Sequence, residues 1–303
     1  MTSDAIVVPL GLLASFLFAL AAYFQQRAAR QTEREGRSVV HGLYALMRKL
    51  VQSRVWLTGW IVNLGGFATQ AAALHLGSVA VVQPLLATQL MFAMPMSSLE
   101  RRRWPRWRDW ASCLGIVGGL VLLLVVVAAE PLQGQPDRTT IIIAVLVALA
   151  VIAVVVPLAA RSKHEVTNVA TAACAGLCFS MTGVFLKLTS DDLADHGIAY
   201  TATDWVGYAL AGSTLLGLVL EQAAFANGPL PWAIATKDST NPIASYAIGV
   251  LAFPVAFPSG VGALLGIAGA AVLLILGAIG LAHSPSADLW LQRSEDESTS
   301  EMR

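Results

Sequence analysis

The sequence has few charged residues for its length. Only 13% of its 303 residues are charged, and 56% are hydrophobic. A soluble domain carries about a quarter charged residues. Since so few charges cannot cover a water-exposed surface, lipid must replace water around most of this chain. The net charge at pH 7 is zero, so composition does not indicate nucleic acid as a partner.

The sequence also lacks the motifs of the common catalytic and nucleotide sites. It has no HExxH, no GxSxG and no P-loop, and its histidines are scattered rather than clustered. The cysteines lie in apolar runs, where they are expected to pack as small hydrophobic side chains. We therefore expect no enzyme activity, no ATP hydrolysis, no cofactor and no metal site. The cysteines are Cys113, Cys174 and Cys178.

Long apolar runs make up most of the sequence. Runs of about twenty residues are long enough to cross a bilayer as helices, which satisfy their own backbone polar groups. The fold class predicted is thus an all-α integral membrane protein with about nine transmembrane helices. The predicted spans are residues 5–26, 55–75, 78–98, 108–129, 139–160, 166–188, 203–224, 240–257 and 260–282.

Basic residues segregate to one side of this layout. Seven lie between Arg27 and Arg54, five lie between Arg101 and Arg108, and Arg161 and Lys163 follow the fifth span. Because cytoplasmic loops hold the Lys/Arg excess, we predict a multi-pass protein of the cytoplasmic membrane with its N-terminus outside and its C-terminus inside. The first run is followed, not preceded, by basic residues, so it does not fit a secretory signal.

Two segments fall outside the spans but belong to the same chain. Residues 1–285 are predicted to form a single membrane domain, and the polar stretch 286–303 a disordered cytoplasmic tail. Between Ser38 and Ser53, apolar residues recur at helical spacing among basic ones, which favours an amphipathic helix on the membrane surface. A degenerate span is the alternative for this stretch.

The strongest organisational signal is an internal duplication. Because one span separates two units of four spans, the second unit is expected to be inverted relative to the first. We therefore predict repeat one at about 5–129, a linking helix at about 139–160 and repeat two at about 166–282. Four matches occur in the same order: Phe18, Phe24 and Gln26 with Phe179, Phe185 and Lys187; Gly66 and Gln70 with Gly217 and Glu221; Gln83-Pro84 with Asn241-Pro242; and Leu114–Gly118 with Leu265–Gly269.

With these features, residues 8–282 resemble the drug/metabolite transporter superfamily of the EamA-like type. The resemblance rests on the four-helix repeat, the prolines near the start of the third and eighth spans, and the glycine-rich fourth and ninth spans. Within that superfamily, Trp56–Gly59 and Leu76–Leu85 are similar to stretches of the nine-span branch that contains the NIPA-type magnesium transporters. Where that branch usually carries a Gly-Glu pair in the second span, this chain has Gly65-Gly66.

The inverted repeats and the resemblance together imply a secondary transporter. Such proteins bind their substrate near the bilayer midplane and work by alternating access. The leading hypothesis is a permease or exporter that moves a small organic metabolite or drug. A transporter of Mg²⁺ or another divalent cation and a non-transporting membrane scaffold are the alternatives. The sequence leaves open whether the protein forms a homodimer.

Polar residues within the predicted spans are the candidate substrate ligands, because burying them in lipid costs free energy unless they have partners. Each of them also has a structural alternative, since such groups often only join helices. Prolines were included because they break helices and expose carbonyl groups. The candidates are Asn63, Gln70, Gln83, Pro84, Gln89, Glu221, Asn241, Pro242, Ser245 and Tyr246.

Three charged residues are the candidates for coupling transport to a proton. Glu221 is a carboxylate within the seventh span, with Lys187 and Lys237 as candidate partners. It has the alternative of reaching the cytoplasmic face. Lys237 and Asp238 precede the predicted eighth span. They lie inside the membrane if that element begins near residue 229, and at the interface if it begins near residue 240.

Overall fold

The chain is helical throughout the part that is described. The computed structural model describes residues 4–31, 39–76, 79–99, 104–127, 138–252 and 260–282, and no β-strand occurs among them. The helices are α1 Asp4–Arg30, α2 Val39–Gln52, α3 Arg54–Leu76, α4 Val79–Ala87, α5 Gln89–Leu99, α6 Trp107–Val127, α7 Arg138–Ala159, α8 His164–Thr203, α9 Trp205–Asn227, α10 Leu230–Ala252 and α11 Val261–Ala282.

The outer surface of this bundle is apolar, as expected for a protein that lies in lipid. On α7, for example, Leu146 is 61% exposed and Leu158 is 59% exposed. Six helices, α1, α6, α7, α8, α9 and α11, are long and apolar enough to cross a membrane. The prediction of an all-α, multi-pass membrane protein is confirmed at this level.

The other three predicted spans also coincide with helices, although length and composition do not single these out as membrane-crossing. They correspond to α3, to the pair α4 and α5, and to α10. Helix α10 begins at Leu230 rather than near residue 240. Lys237 and Asp238 therefore lie within the helix, as in the alternative in which this element begins near residue 229.

The third predicted span is interrupted, and its polar partners explain where. The break lies at Thr88, whose backbone N–H and hydroxyl both donate to the carbonyl of Leu85, at 3.1 and 2.6 Å. The Thr88 hydroxyl also lies 2.9 Å from that of Ser15 on α1. Pro84 lies inside α4, and α10 continues past Pro242 without a break. Both prolines thus lie inside helices, and the break falls at Thr88 rather than at Pro84.

Helix α8 is longer than its predicted span and changes direction near its C-terminal end. Gly197 lies inside it with a φ of 78°, a left-handed conformation that glycine adopts without steric cost. Beyond this point the chain reaches Asp204, whose side chain accepts a hydrogen bond from the N–H of Trp205 and caps α9.

The amphipathic stretch near residue 40 is a helix, as predicted. Helix α2 directs Leu50 into the protein interior, where it is fully buried, while Tyr44 remains 69% exposed. Leu46 and Met47 pack against the same core as Leu50. One face of α2 therefore contacts the bundle, which accounts for its apolar spacing.

Two helix pairs, α1 with α3 and α8 with α9, pack at glycines. The most extensive packing joins α1 to α3, α8 to α9, and α6 to α11. A Cβ placed on Gly66 would lie 2.8 Å from the ring of Phe18, and one on Gly217 would lie 3.0 Å from the ring of Phe179. The sequence matches pair Gly66 with Gly217 and Phe18 with Phe179. A glycine packed against a phenylalanine ring therefore occurs both between α1 and α3 and between α8 and α9.

Helices α6 and α11 pack antiparallel to each other. A Cβ on Gly115 would lie 3.5 Å from Gly277, one on Gly119 would lie 3.0 Å from the carbonyl of Ala270, and one on Gly266 would lie 2.6 Å from Val126. Residue numbers rise along one helix as they fall along the other. Small residues thus let the final helices of the two halves approach closely.

Some predicted features lie outside the described residues. These are the tail 286–303, the arginines 101–103 and the end of the eighth predicted span after residue 252. The side chain of Gln83 is also outside them, although its backbone belongs to α4.

Candidate functional site

Three of the predicted coupling residues meet inside the bundle. Lys237 Nζ lies 2.7 Å from Glu221 Oε1 and 3.4 Å from Asp238 Oδ1. Glu221 belongs to α9 and Lys237 to α10, and these helices are joined by the tight connection at Gly228 and Pro229. With a rise of 1.5 Å per residue, both side chains start about 10 Å from that connection. We call these three residues the ion triad.

The triad is largely shielded from its surroundings. The side chains of Glu221 and Lys237 are 12% and 17% exposed, and that of Asp238 is 27% exposed. Lys237 Nζ also lies 5.8 Å from the centre of the Phe179 ring on α8, a geometry that favours a cation. Protein thus encloses much of Lys237 and Asp238, and their location inside the membrane stays a prediction.

The charge of the triad does not balance internally. Two carboxylates surround one ammonium group, so the ionised triad carries one net negative charge. A net charge away from water costs free energy in a membrane. Either a proton or a positively charged group can neutralise it. The site is therefore chemically suited to exchange one positive charge with the solvent.

The backbone of α10 approaches α8 closely beside the triad. A Cβ on Gly176 would lie 2.7 Å from the carbonyl oxygen of Lys237 and 2.9 Å from Thr240. Any larger residue at position 176 would push α10 away, and Lys237 with it. Glycine at this position thus sets the distance between the helix that carries Phe179 and the helix that carries the ammonium group.

Lys187, the other predicted partner of Glu221, has a different role. Its Nζ lies 3.0 Å from Asp191 Oδ2, one turn further along α8. Both side chains are more than a third exposed, so this is a surface pair of small energetic value. Lys187 belongs to the opposite end of the bundle from the connection at Gly228.

The remaining candidates are not drawn into the triad. Ser245 donates to Asn241 Oδ1 at 3.3 Å within α10, and Tyr246 is half-buried one residue further. Asn63, Gln70 and Gln89 are half-buried on α3 and α5. Among the described residues, no hydrogen bond or ion pair connects these three to Glu221, Lys237 or Asp238. Their role as substrate ligands stays a prediction.

Sequence reasoning overlooked a buried set of amide side chains near the triad. Gln222 is fully buried; its Oε1 accepts from Trp56 Nε1 at 3.0 Å, and its Nε2 donates to Gln25 Oε1 at 2.9 Å. Gln26 donates to the carbonyl of Gly228 at 2.7 Å. The adjacent glutamines at the end of an apolar run were the available signal, but periodicity does not reveal that they point to a distant helix.

A second polar cluster lies at the opposite end of the bundle. Arg138, the first residue of α7, lies 3.2 Å from Asp192 on α8 and 3.4 Å from Asp204 at the start of α9. Asp192 is 7% exposed. The cluster ties the linking helix α7 to the connection between α8 and α9. Arg138 thus contacts both Asp192 and Asp204, two carboxylates that the sequence did not link.

Comparison with known proteins gives one relative of comparable length. The chain is 27% identical over 258 residues to an uncharacterized protein of Corynebacterium glutamicum, an alignment that covers 83% of this chain and 86% of the relative. No family model matches the chain. No solved structure matches it either.

Proposed function

We propose that this protein is a secondary transporter of the drug/metabolite transporter type, which moves a small organic molecule across the cytoplasmic membrane by alternating access. The observation that carries the proposal is the ion triad. Glu221, Lys237 and Asp238 are shielded within a membrane bundle, where unbalanced charge is costly and is retained mainly for function.

The proposed architecture has nine spans in two inverted four-helix repeats. Repeat one consists of α1, α3, the pair α4 and α5, and α6. Repeat two consists of α8 to α11, and α7 links the two. The equivalent contacts of Gly66 with Phe18 and of Gly217 with Phe179 support this assignment. The antiparallel packing of α6 on α11 also supports it, because inverted repeats place equivalent helices in opposite directions.

The proposed orientation places the N-terminus outside and the C-terminus in the cytoplasm. Arg30 at the end of α1 donates to the carbonyl of Gly228, which precedes α10. Trp232 near the start of α10 donates to the carbonyl of Leu281 near the end of α11. The ends of α1 and α11 thus lie at the same end of the bundle as the basic segment after α1, and basic segments favour the cytoplasm.

The proposed mechanism uses the unbalanced charge of the triad. In one state of the alternating-access cycle, one carboxylate of the triad takes up a proton, and the triad becomes neutral. In the other state, the proton leaves and the organic substrate is exchanged. Lys237 holds the two carboxylates together through both states, since its Nζ lies within 3.4 Å of each.

Proteoliposomes that contain a pH-sensitive dye test this function. A panel of amino acids, amines, nucleosides and sugars is added outside, and we expect at least one solute to drive proton movement. Glu221→Gln should abolish that movement, because the amide keeps the shape but does not titrate. Asp191→Asn, which neutralises the exposed carboxylate of the surface pair with Lys187, is the matched control and should transport normally.

A divalent cation is the second candidate, because Glu221 and Asp238 bring two carboxylates together at one position, and hard cations prefer oxygen ligands. Lys237 already occupies those carboxylates, which places this candidate second. A magnesium-sensitive dye in the same liposomes separates the two. Mg²⁺ influx that Glu221→Gln abolishes would favour it, and the absence of both fluxes would contradict transport and favour a scaffold.

A further inference from the structure

A chain of buried polar side chains joins the two halves of the protein near the connection between α9 and α10. Trp56 on α3 donates to Gln222 on α9, and Gln222 donates to Gln25 on α1, at 3.0 and 2.9 Å. Next to them, Gln26 donates to Gly228. We call Gln25, Gln26, Trp56 and Gln222 the amide network.

The amide network is buried. Gln222 is 0% exposed, Gln26 is 3% exposed and Gln25 is 5% exposed. Side chains of α1 and α3 there form hydrogen bonds to a side chain of α9. At this end of the bundle, α9 is therefore joined to α1 and α3 by hydrogen bonds and not only by apolar packing.

Polar atoms around the network are poorly satisfied in this arrangement. Asn168 donates to the carbonyl of Ala224 at 2.7 Å, but its Oδ1 is buried with no partner among the described residues. The same holds for Asn227 Oδ1 and for Trp60 Nε1. A buried polar atom without a partner costs free energy that contact with water would recover. In the arrangement described, these polar atoms therefore lack hydrogen bonds that water could supply if the helices separated.

The amide network is mechanically linked to the ion triad through α9. Gln222 directly follows Glu221, and adjacent residues of a helix point about 100° apart. Glu221 therefore faces Lys237 on α10, while Gln222 faces α1 and α3. A rotation or shift of α9 that changes one contact must change the other.

We infer that the amide network is the gate that closes this end of the transport path, and that it opens when its hydrogen bonds between the halves are exchanged for water. This inference rests on the proposed function, because only alternating access requires the two halves to separate at one end. On the proposed orientation, the gate is cytoplasmic.

Thiol accessibility tests the gate without knowledge of the substrate. In a background in which Cys113, Cys174 and Cys178 are replaced by alanine, Ser239→Cys serves as a reporter, since Ser239 is half-buried beside Asp238. A charged, membrane-impermeant methanethiosulfonate is applied to inside-out and right-side-out vesicles. We expect the double substitution Gln25→Leu and Gln222→Leu to speed labelling from the gate end by roughly tenfold, which corresponds to about 1.4 kcal/mol.

A hydroxyl pair within one half provides the matched control. Thr182 on α8 and Ser213 on α9 lie 3.0 Å apart, so Thr182→Val with Ser213→Ala removes an interhelical hydrogen bond that does not cross between the halves. We expect this variant to leave reporter labelling unchanged. Equal acceleration in the control would contradict the gate, and so would no acceleration in the glutamine variant.

Loss of folding is distinguished by labelling from the other end. An opened gate speeds labelling from one end only, whereas an unfolded variant labels faster from both, and the latter result would overturn the inference. Failure of the proposed function has a separate signature. If the liposomes show neither flux but the one-sided acceleration appears, the amide network does control access at this end of the bundle, and the proposed transport function fails. If flux appears without acceleration, transport stands and the gate does not.

Discussion

The two halves of the molecule share their packing but not their charge. Gly66 meets Phe18 in the first half as Gly217 meets Phe179 in the second. Yet the second half carries Glu221 at the position where the first carries Gln70, and only Glu221 has an ionic partner. The comparison shows that glycine-mediated packing can stay equivalent between halves while the titratable chemistry is concentrated in one of them.

The halves differ also in how their third elements are held. In the first half, Ser15 on α1 contacts Thr88 at the break between α4 and α5. The sequence matches place Gly176 on α8 where α1 has Ser15. Gly176 contacts α10 through backbone atoms, and α10 is continuous. The hydroxyl of Ser15 thus contacts the element that is broken at Thr88. Gly176 instead contacts the continuous helix α10, because only there do two backbones approach closely.

The largest effect on stability is expected from removal of the positive charge of the ion triad, which is found in only one half. Lys237→Met leaves Glu221 and Asp238 close together without their shared cation, and removal of one partner from a buried ion pair costs about 3 to 5 kcal/mol. Gln70→Leu, at the position of the first half that the sequence matches with Glu221, should alter stability by about 0.5 kcal/mol or less. Denaturant unfolding of the detergent-solubilised protein measures both.

Neutralising the carboxylates separates charge from shape in that experiment. If Glu221→Gln and Asp238→Asn are added to Lys237→Met, no charge remains unpaired, and most of the lost stability should return. If Lys237→Met and Gln70→Leu unfold at the same denaturant concentration, the halves do not differ energetically, and the ion triad is a surface feature.

The next effect tests the shared packing. Gly66→Ala and Gly217→Ala each place a methyl group within about 3 Å of a phenylalanine ring, and overpacking of this kind costs about 1 to 3 kcal/mol. We expect similar losses in the two halves, measured as a decrease in the free energy of unfolding. Combining each with Phe18→Leu or Phe179→Leu should restore part of the loss by making room.

A glycine in open surroundings is the control for that pair. A Cβ on Gly212, also on α9, would meet no atom within 4 Å, so Gly212→Ala should be neutral or slightly stabilising, since alanine favours helix. If Gly212→Ala lowers the free energy of unfolding as much as Gly217→Ala does, contact with the ring is not the cause of the loss. If Gly66→Ala causes no loss, the two glycine contacts are not equivalent.

Much of the fold followed from the apolar runs. The helices, including α2, lie where hydrophobic periodicity and length predicted them, because these patterns act locally along the chain. The start of α10 was left open between residues 229 and 240, because the charged pair Lys237 and Asp238 fits either the interior of a helix or the stretch before it. Tertiary pairing with Glu221 keeps that pair inside the helix.

The candidate site was predicted only in part for a related reason. The residue types of the triad were identifiable, since charge within an apolar run is unusual. The choice of Lys237 over Lys187 as the partner of Glu221 was not, because it depends on which helices are neighbours. The amide network was missed for the same reason: Gln222 and Trp56 are far apart in sequence, and only the tertiary structure, in which α1 packs against both α3 and α9, brings them to 3.0 Å.

The smallest effect concerns the broken element of the first half. Thr88→Val keeps the side-chain shape but removes the hydroxyl that bonds to Leu85 and Ser15. Hydrogen bonds between membrane helices contribute about 0.6 kcal/mol on average, so we expect a loss of about that size in the free energy of unfolding. Ser15→Ala removes the contact with Thr88 but not the bond from Thr88 to Leu85, so it should cost no more than Thr88→Val. The double variant should cost little more than Thr88→Val alone, because the shared contact is already lost. Additive losses would instead mean that the hydroxyls act separately, and that the break at Thr88 is held by its bond to Leu85 alone.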